Sequence, residues 1–324
     1  ANPQLTEGQL AGIAYMEANP VELSVEGILA AARERTGLDD FGPADFRVRL
    51  QRLVAVLPIR LQAMPKRKAM MTGNFKHSLV GGLALSLGLT AMAQTDEEKV
   101  GKLAAAQVLG AAPLVAADAA QQYVNVLGQA LSAHSGANYK WHFGVIKSDA
   151  INAFAMPGGY VLLSSGLLKS LESEDELAFI LAHEVAHVTR RHHYQVVQRQ
   201  RLADQAAKGL QAVTQDSDTG KLAQASGQIY ARGLDKSAEF ESDRLGVEIM
   251  TRAGYDPVAA INVLEKLQRF KGNDPRAELL FSTHPSPAER LDMLLQSGID
   301  KLPRPSDKPN PTRQARFQKF IQAI

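Results

Sequence analysis

Residues 177–188 read LAFILAHEVAHV, a stretch aliphatic enough for the middle of a folded domain except at His183, Glu184 and His187. Buried without partners, each of those three groups costs several kcal/mol, so the fold has to give them something to bind. Helical geometry narrows the choice. At about 3.6 residues per turn, positions 183 and 187 share one face, roughly 5–6 Å apart at Cβ, which lets two imidazoles grip one metal ion. Glu184 lies about 100° further round the helix, able to face the open side of the ion without ligating it. This is the H-E-x-x-H pattern of a two-histidine zinc grip with a glutamate general base. The competing reading, histidines hydrogen-bonded in an ordinary core, satisfies the same groups less economically.

A catalytic zinc site usually takes three protein ligands and leaves one position open. The segment SAEFESDRLGVEIM (237–250) supplies the missing ligand as Glu239. One turn on, Asp243 can accept the free ring N–H of a ligating histidine and fix its tautomer. Glu241, about 200° from Glu239, is expected to face solvent. The plainer reading of this segment is an acidic helix start favoured by the macrodipole. Further on, STHPSPAERL (282–291) opens a helix with Ser286 as N-cap, Pro287 at N1 and Glu289 at N3, leaving His284 in the loop before it. His192 and His193, five and six residues after His187, read as a solvated end of the same helix. His77, His134 and His142 have no partners in the pattern.

The rest of the chain reads as helices around three short strands, 139–147, 150–156 and 159–166, which predicts an α+β fold, mostly helical, with a small antiparallel or mixed sheet. Within NAFAMPGG, the strand Asn152 to Ala155 is either an edge that pairs with an extended substrate or part of a plain hairpin. Ser173 and Glu176 form a capping box at the start of the helix carrying the histidines. There is no cysteine among the 324 residues, which excludes disulfides, thiolate metal sites and a cysteine nucleophile. A net charge of +2 carries no nucleic-acid footprint. Residues 64–93 have the layout of a secretory signal: a basic stretch, a short apolar run from Leu79 to Leu89, then Ala91-Met92-Ala93. The expected organisation is therefore an N-terminal segment, 1–63, upstream or mis-joined and without chemistry. The signal-like segment 64–93, a domain 94–300 that carries the H-E-x-x-H helix, and a basic, proline-rich tail 301–324, solvated and ending in a short amphipathic piece, follow it.

Taken in order, NAFAMPGG, HEVAH, EFESD and STHPSPAER resemble the gluzincin zinc metallopeptidases of the CAAX-prenyl-protease/HtpX class, and within it the soluble periplasmic branch typified by BepA and LoiP. The resemblance covers about residues 95–297. It implies a zincin-like catalytic domain acting as an endopeptidase, with one Zn2+ held by His183, His187 and Glu239 and with Glu184 as base. It also places Arg290 and His284 at the active site. Arg290 would stabilise the oxyanion, and His284 would do the same, occupy the open zinc position as a fourth ligand that latches the resting enzyme, or serve only the loop. The implied partners are unfolded or misassembled polypeptides, outer-membrane proteins among them, met in the periplasm. An alternative of a different class is a zinc-stabilised chaperone or binding module with a latched, weakly active site; Glu184 argues against it, because a structural zinc needs no base.

Overall fold

The computed structural model describes residues 5–18, 96–210, 234–302, 304–305 and 310–324. The signal-like segment 64–93, with His77 inside it, lies outside them. Helix α1 (Glu7–Ala18) is followed by α2 (96–111) and α3 (Asp118–Ser132). Strands β1 (His142–Ile146), β2 (Ala153–Met156) and β3 (Tyr160–Ser164) come next, then the short α4 (Ser165–Ser170). Helices α5 (Glu174–Thr189), α6 (His192–Leu210), α7 (Lys236–Arg252) and α8 (Val258–Phe270) follow. The chain closes with α9 (Glu278–Thr283), α10 (Pro287–Gln296) and α11 (Pro311–Ala323). The expected class, mostly helical α+β with a small mixed sheet, is what forms.

The sheet order is β1-β3-β2, with β1 parallel and β2 antiparallel to β3. A Pro157-Gly158-Gly159 turn joins β2 to β3, and both glycines take positive φ (75° and 98°), which an L side chain would resist. An open sheet edge invites unwanted pairing, and α3 blocks the one at β1 with a ladder of side-chain amides. Gln121 donates to Val145 O and accepts from Val145 N, both at 2.8 Å. Asn125 donates to Phe143 O (2.7 Å) and Gln129 to Trp141 O (3.0 Å). Their i, i+4, i+8 spacing puts all three on one helical face. The strand at the opposite end of the sheet is β2, so the segment read as Asn152–Ala155 forms a strand one residue further on that is at once the outer strand and one arm of a hairpin with β3.

Helix α5 runs through the core, buried from Glu176 to Val188, which is why its sequence is so aliphatic. Its start is capped as expected at Ser173, whose hydroxyl accepts from Glu176 N (3.2 Å), while the Glu176 carboxylate accepts from Glu172 N (2.8 Å). Glu174, also buried, gathers Tyr123 (2.6 Å), Tyr255 (3.0 Å) and Arg316. Arg316 belongs to α11, and this corrects the solvated tail: α11 packs on α3 and α5 with Phe317 and Phe320 buried, and Arg313 reaches Asp175 and Gly254 O. The basic residues that suggested a solvated extension are counter-ions for the acidic N-terminus of α5. Within the N-terminal segment, α1 packs on β1 with Ile13 and Met16 buried. There His142, unassigned by the sequence, holds Met16 O at 3.0 Å and stacks on Tyr160.

Candidate metal centre

Two helices meet at the site. Helix α7 crosses α5 at Gly246, where an added Cβ would lie 3.0 Å from His183 N and 3.1 Å from its Cα. That close approach brings the side chains one and two turns back on α7, Asp243 and Glu239, onto the histidine face of α5. The Nε2 atoms of His183 and His187 are 2.9 Å apart, and they stand 3.6 and 3.5 Å from the two carboxylate oxygens of Glu239. His284, at the C-terminal end of α9, adds its Nδ1 at 3.1 Å from Glu239 Oε1. Candidate ligand atoms of these four buried residues all lie within 4.8 Å of one another. Zinc with bonds of about 2.0–2.1 Å in tetrahedral array sets its ligand atoms about 3.3 Å apart. The three donors read from the sequence need to move only a few tenths of an ångström to close on an ion, and the nitrogen–carboxylate set suits zinc.

Around these candidate ligands lies a bonded shell. Asp243 Oδ1 stands 2.9 Å from His183 Nδ1, where it accepts the ring N–H that leaves Nε2 free. Arg290, from α10, forks onto Asp243 through Nε (2.7 Å) and Nη2 (2.6 Å) and reaches Glu239 Oε2 through Nη1 (3.0 Å). Burial pushes the Asp243 carboxyl up, but Arg290 overrides it and holds the group down at about 2. Glu239 is lowered too, its burial outweighed by His284 and Arg290. Glu184 goes the other way: burial raises its pKa, against the pull of His284 and His183. Its Oε2 is buried without a hydrogen-bond partner among the described residues, while Oε1 stands 3.9 Å from His284 Nε2. Burial depresses His284, yet Glu239 and Glu184 together raise it above its ordinary value. Beside Glu184, His183 and His284 lies an apolar recess walled by Phe179, Ile180, Val263, Leu267 and Leu280.

Four sequence expectations need correcting. Helix α5 does not continue through His192 and His193: Arg191 adopts φ 59° and a new helix begins at His192. The turn carries both histidines inward, to 7% and 4% exposure, so neither is a solvated helix end. Burial lowers the pKa of His193 to about 3. Glu241 is half exposed rather than free in solvent, bonded to Arg190 Nε at 2.9 Å and His192 Nε2 at 3.3 Å. Ser286 does not cap α10 with its side chain, because its left-handed backbone (φ 61°) turns the hydroxyl away, and Glu289 pairs with Lys236 instead. Finally, the Arg290 fork, expected at the oxyanion, is committed to Asp243 and Glu239.

A mostly helical frame that offers two helix-borne histidines, a carboxylate from a second helix and a buried glutamate to one point defines the zincin-like metallopeptidases. Similarity to known proteins narrows this to a family. The model of peptidase family M48 matches residues 118–297, more than half of the chain, and the chain belongs to that family, whose members use zinc. It is 33% identical over 241 residues to a beta-barrel assembly-enhancing protease of Yersinia pestis, covering 70% of this chain and 49% of that one. The protein of that name from Escherichia coli (strain K12) is 33% identical over 65% of this chain and 44% of its own length. A mitochondrial metalloendopeptidase OMA1 of Schizosaccharomyces pombe is 33% identical over 52% of this chain and 50% of its own. The chain thus spans about half the length of the curated relatives it matches.

Proposed function

We propose that the protein is a zinc-dependent endopeptidase acting on extended or misfolded polypeptides of the cell envelope. The observation that carries this reading is the convergence of His183, His187 and Glu239 beside a buried glutamate with an oxygen unpartnered among the described residues. His183, His187 and Glu239 would hold the ion, which supplies a Lewis acid that lowers the pKa of a water to about 7 and polarises the scissile carbonyl. Glu184 Oε2, shielded and raised in basicity, takes the proton as the water attacks and then hands it to the leaving amine. Asp243 keeps the ring hydrogen of His183 on Nδ1, and Arg290 keeps both acidic partners ionised and in place. His284 Nε2, facing Glu184, is placed to donate to the developing oxyanion. Ala153, in the outer strand β2, lies in the wall of the apolar recess, which holds only about 20 Å³, so a substrate strand laid along β2 would set a small apolar side chain there.

The signal-like segment and the similarity to bacterial beta-barrel assembly-enhancing proteases support the periplasm as the location and envelope proteins, outer-membrane proteins among them, as substrates. No helix among the described residues is long and apolar enough to cross a membrane. The test is elemental analysis for zinc together with cleavage of an unfolded casein-like substrate by wild type, by chelator-treated protein and by Glu184→Gln. Zinc at one per chain, with cleavage lost to chelator and to the substitution, is the expected result. Equal suppression of aggregation by wild type and Glu184→Gln, with no cleavage by either, would instead establish the binding module.

A second reading concerns His284, which stands within ligand distance of the other three donors. As a fourth ligand it would close the open position and latch the resting enzyme. Proteolysis should then rise in His284→Ala, and unchanged or lower activity rejects the latch.

A further inference from the structure

We propose that His192 is a positioning residue for His187, the end of a Glu241–His192–His187 chain that decides which nitrogen of His187 is free for metal. The inference rests on reading His187 as a ligand. The Nδ1 atoms of the two rings are 3.0 Å apart and both rings are buried, so one nitrogen donates and the other accepts. His187 Nε2 is the atom that faces His183 Nε2 and Glu239. For it to offer a lone pair, the ring hydrogen must sit on Nδ1 and be donated to His192 Nδ1. A neutral His192 then carries its own hydrogen on Nε2, 3.3 Å from Glu241 Oε2, which accepts it. Glu241 is in turn held by Arg190 Nε at 2.9 Å.

The reverse arrangement is penalised at both ends. If His192 donated through Nδ1, the His187 hydrogen would move to Nε2 and block ligation. The bare Nε2 lone pair of His192 would then face the Glu241 carboxylate. The Ser242 hydroxyl also lies 3.2 Å from His192 Nδ1, but that nitrogen has a single lone pair, which the favoured arrangement gives to the nearer donor, His187 Nδ1 at 3.0 Å. The two metal histidines are therefore oriented differently: His183 by a carboxylate directly, His187 by a carboxylate acting through a second imidazole. The left-handed backbone at Arg191 makes the second route possible, by folding His192 back under the ring five residues before it.

The experiment measures zinc affinity of the full chain by competition with a chromophoric chelator for wild type, His192→Phe, His192→Asn and Glu241→Leu. It also records ring-nitrogen NMR spectra of ¹⁵N-histidine-labelled zinc-loaded protein. Loss of an outer hydrogen-bond partner of a metal ligand typically costs 10–100-fold in affinity, and His192→Phe is expected to weaken zinc by about that factor. Asparagine sets an oxygen near the position of Nδ1, so His192→Asn should recover most of the loss. In the wild-type spectrum His192 should be the Nε2–H tautomer. Wild-type affinity in His192→Phe, or no recovery in His192→Asn, overturns the proposal. Should His192→Phe fail to fold, the half-exposed Glu241→Leu decides: weakened zinc and a mixed His192 tautomer support the chain, and unchanged values overturn it. A wild-type protein that takes up no zinc would sink the metal reading itself, whereas tight wild-type zinc with indifferent variants sinks this inference alone.

Discussion

Arg290→Leu is the perturbation that most directly probes how the site is held together without its ion. Arg290 is buried, and it is the cation shared by Asp243 and Glu239, which are 1% and 0% exposed. Its loss removes contacts of 2.7 and 2.6 Å to Asp243 and 3.0 Å to Glu239. What remains is His183 at 2.9 Å from Asp243 and His284 at 3.1 Å from Glu239. Removing one partner of a buried ion pair typically costs about 3–5 kcal/mol, because the other charge is left uncompensated. Against a total stability of roughly 5–15 kcal/mol, the metal-free variant should sit near the edge of folding. Zinc restores positive charge beside Glu239 but not beside Asp243, so the deficit should shrink, not vanish, when the ion is bound. Arg290→Lys, which keeps the charge and loses the fork, should fall between the two proteins. Urea unfolding of all three, in chelator and in excess zinc, gives the numbers. A metal-free Arg290→Leu within about 1 kcal/mol of wild type would refute the reasoning, since no buried charge could then depend on this guanidinium.

The apolar recess holds only about 20 Å³, so enlarging it with Ile180→Ala should raise kcat/KM by about 10-fold or more for peptides that place a bulkier apolar side chain there, with little change for alanine. A peptide library digest checks this, and an unaltered preference removes the recess from the substrate path. Phe317→Ala should destabilise the protein by about 3–5 kcal/mol in urea; a loss below 1 kcal/mol would mean that α11 is not docked in solution. Acid should loosen α1 ahead of the core. Burial of Glu17 works against its ionisation, but Lys102 at 2.9 Å and Tyr160 at 2.8 Å win and lower its pKa. Its contribution is therefore present above the ordinary carboxylate range and lost as pH falls through the lowered folded value. His142, depressed chiefly by burial, adds to the same trend because charging it opposes the folded state. Hydrogen exchange of Glu7–Ala18 at pH 7 and pH 4, compared with α5, should show protection falling first in α1; equal loss in both helices would count against this.

What the sequence disclosed, and what it hid, follows from the range of the forces involved. The grip on α5 was legible because it needs only local geometry, two imidazoles at i and i+4 in an otherwise aliphatic helix. Glu239 and Asp243 were legible because they too are one turn apart, and because three polar groups on α5 demanded a ligand from elsewhere. The strands and the cap at Ser173 were set by period and by a serine three residues before a glutamate. The losses occur where a single residue leaves its expected conformation. Extending α5 by 100° per residue sends His192 outward, whereas one left-handed residue at Arg191 sends it inward, and nothing about an arginine announces positive φ. The same applies at Ser286, whose left-handed backbone cancels a cap that its neighbours Pro287 and Glu289 advertise.

The tail and Arg290 failed for a different reason. Basic residues in a proline-rich stretch read as solvated unless the acids they meet are known, and the acids at 174, 175 and 243 lie far away in sequence. Their own burial is what makes the meeting obligatory. A carboxylate charge at 1% exposure, as at Glu174 and Asp243, is costly to bury without a cation, and the fold supplies Arg316 and Arg290 from elements that come later in the chain. The demand is visible in the acidic start of α5 and in E-x-x-x-D, but the supplier is not. Gly246 completes the argument. By letting α7 approach α5 to backbone contact it sets the depth at which Glu239 meets the histidines, and a side chain there would push the carboxylate outward. Gly246→Val should therefore separate the two helices and weaken zinc far more than the loss of any residue exposed on α7.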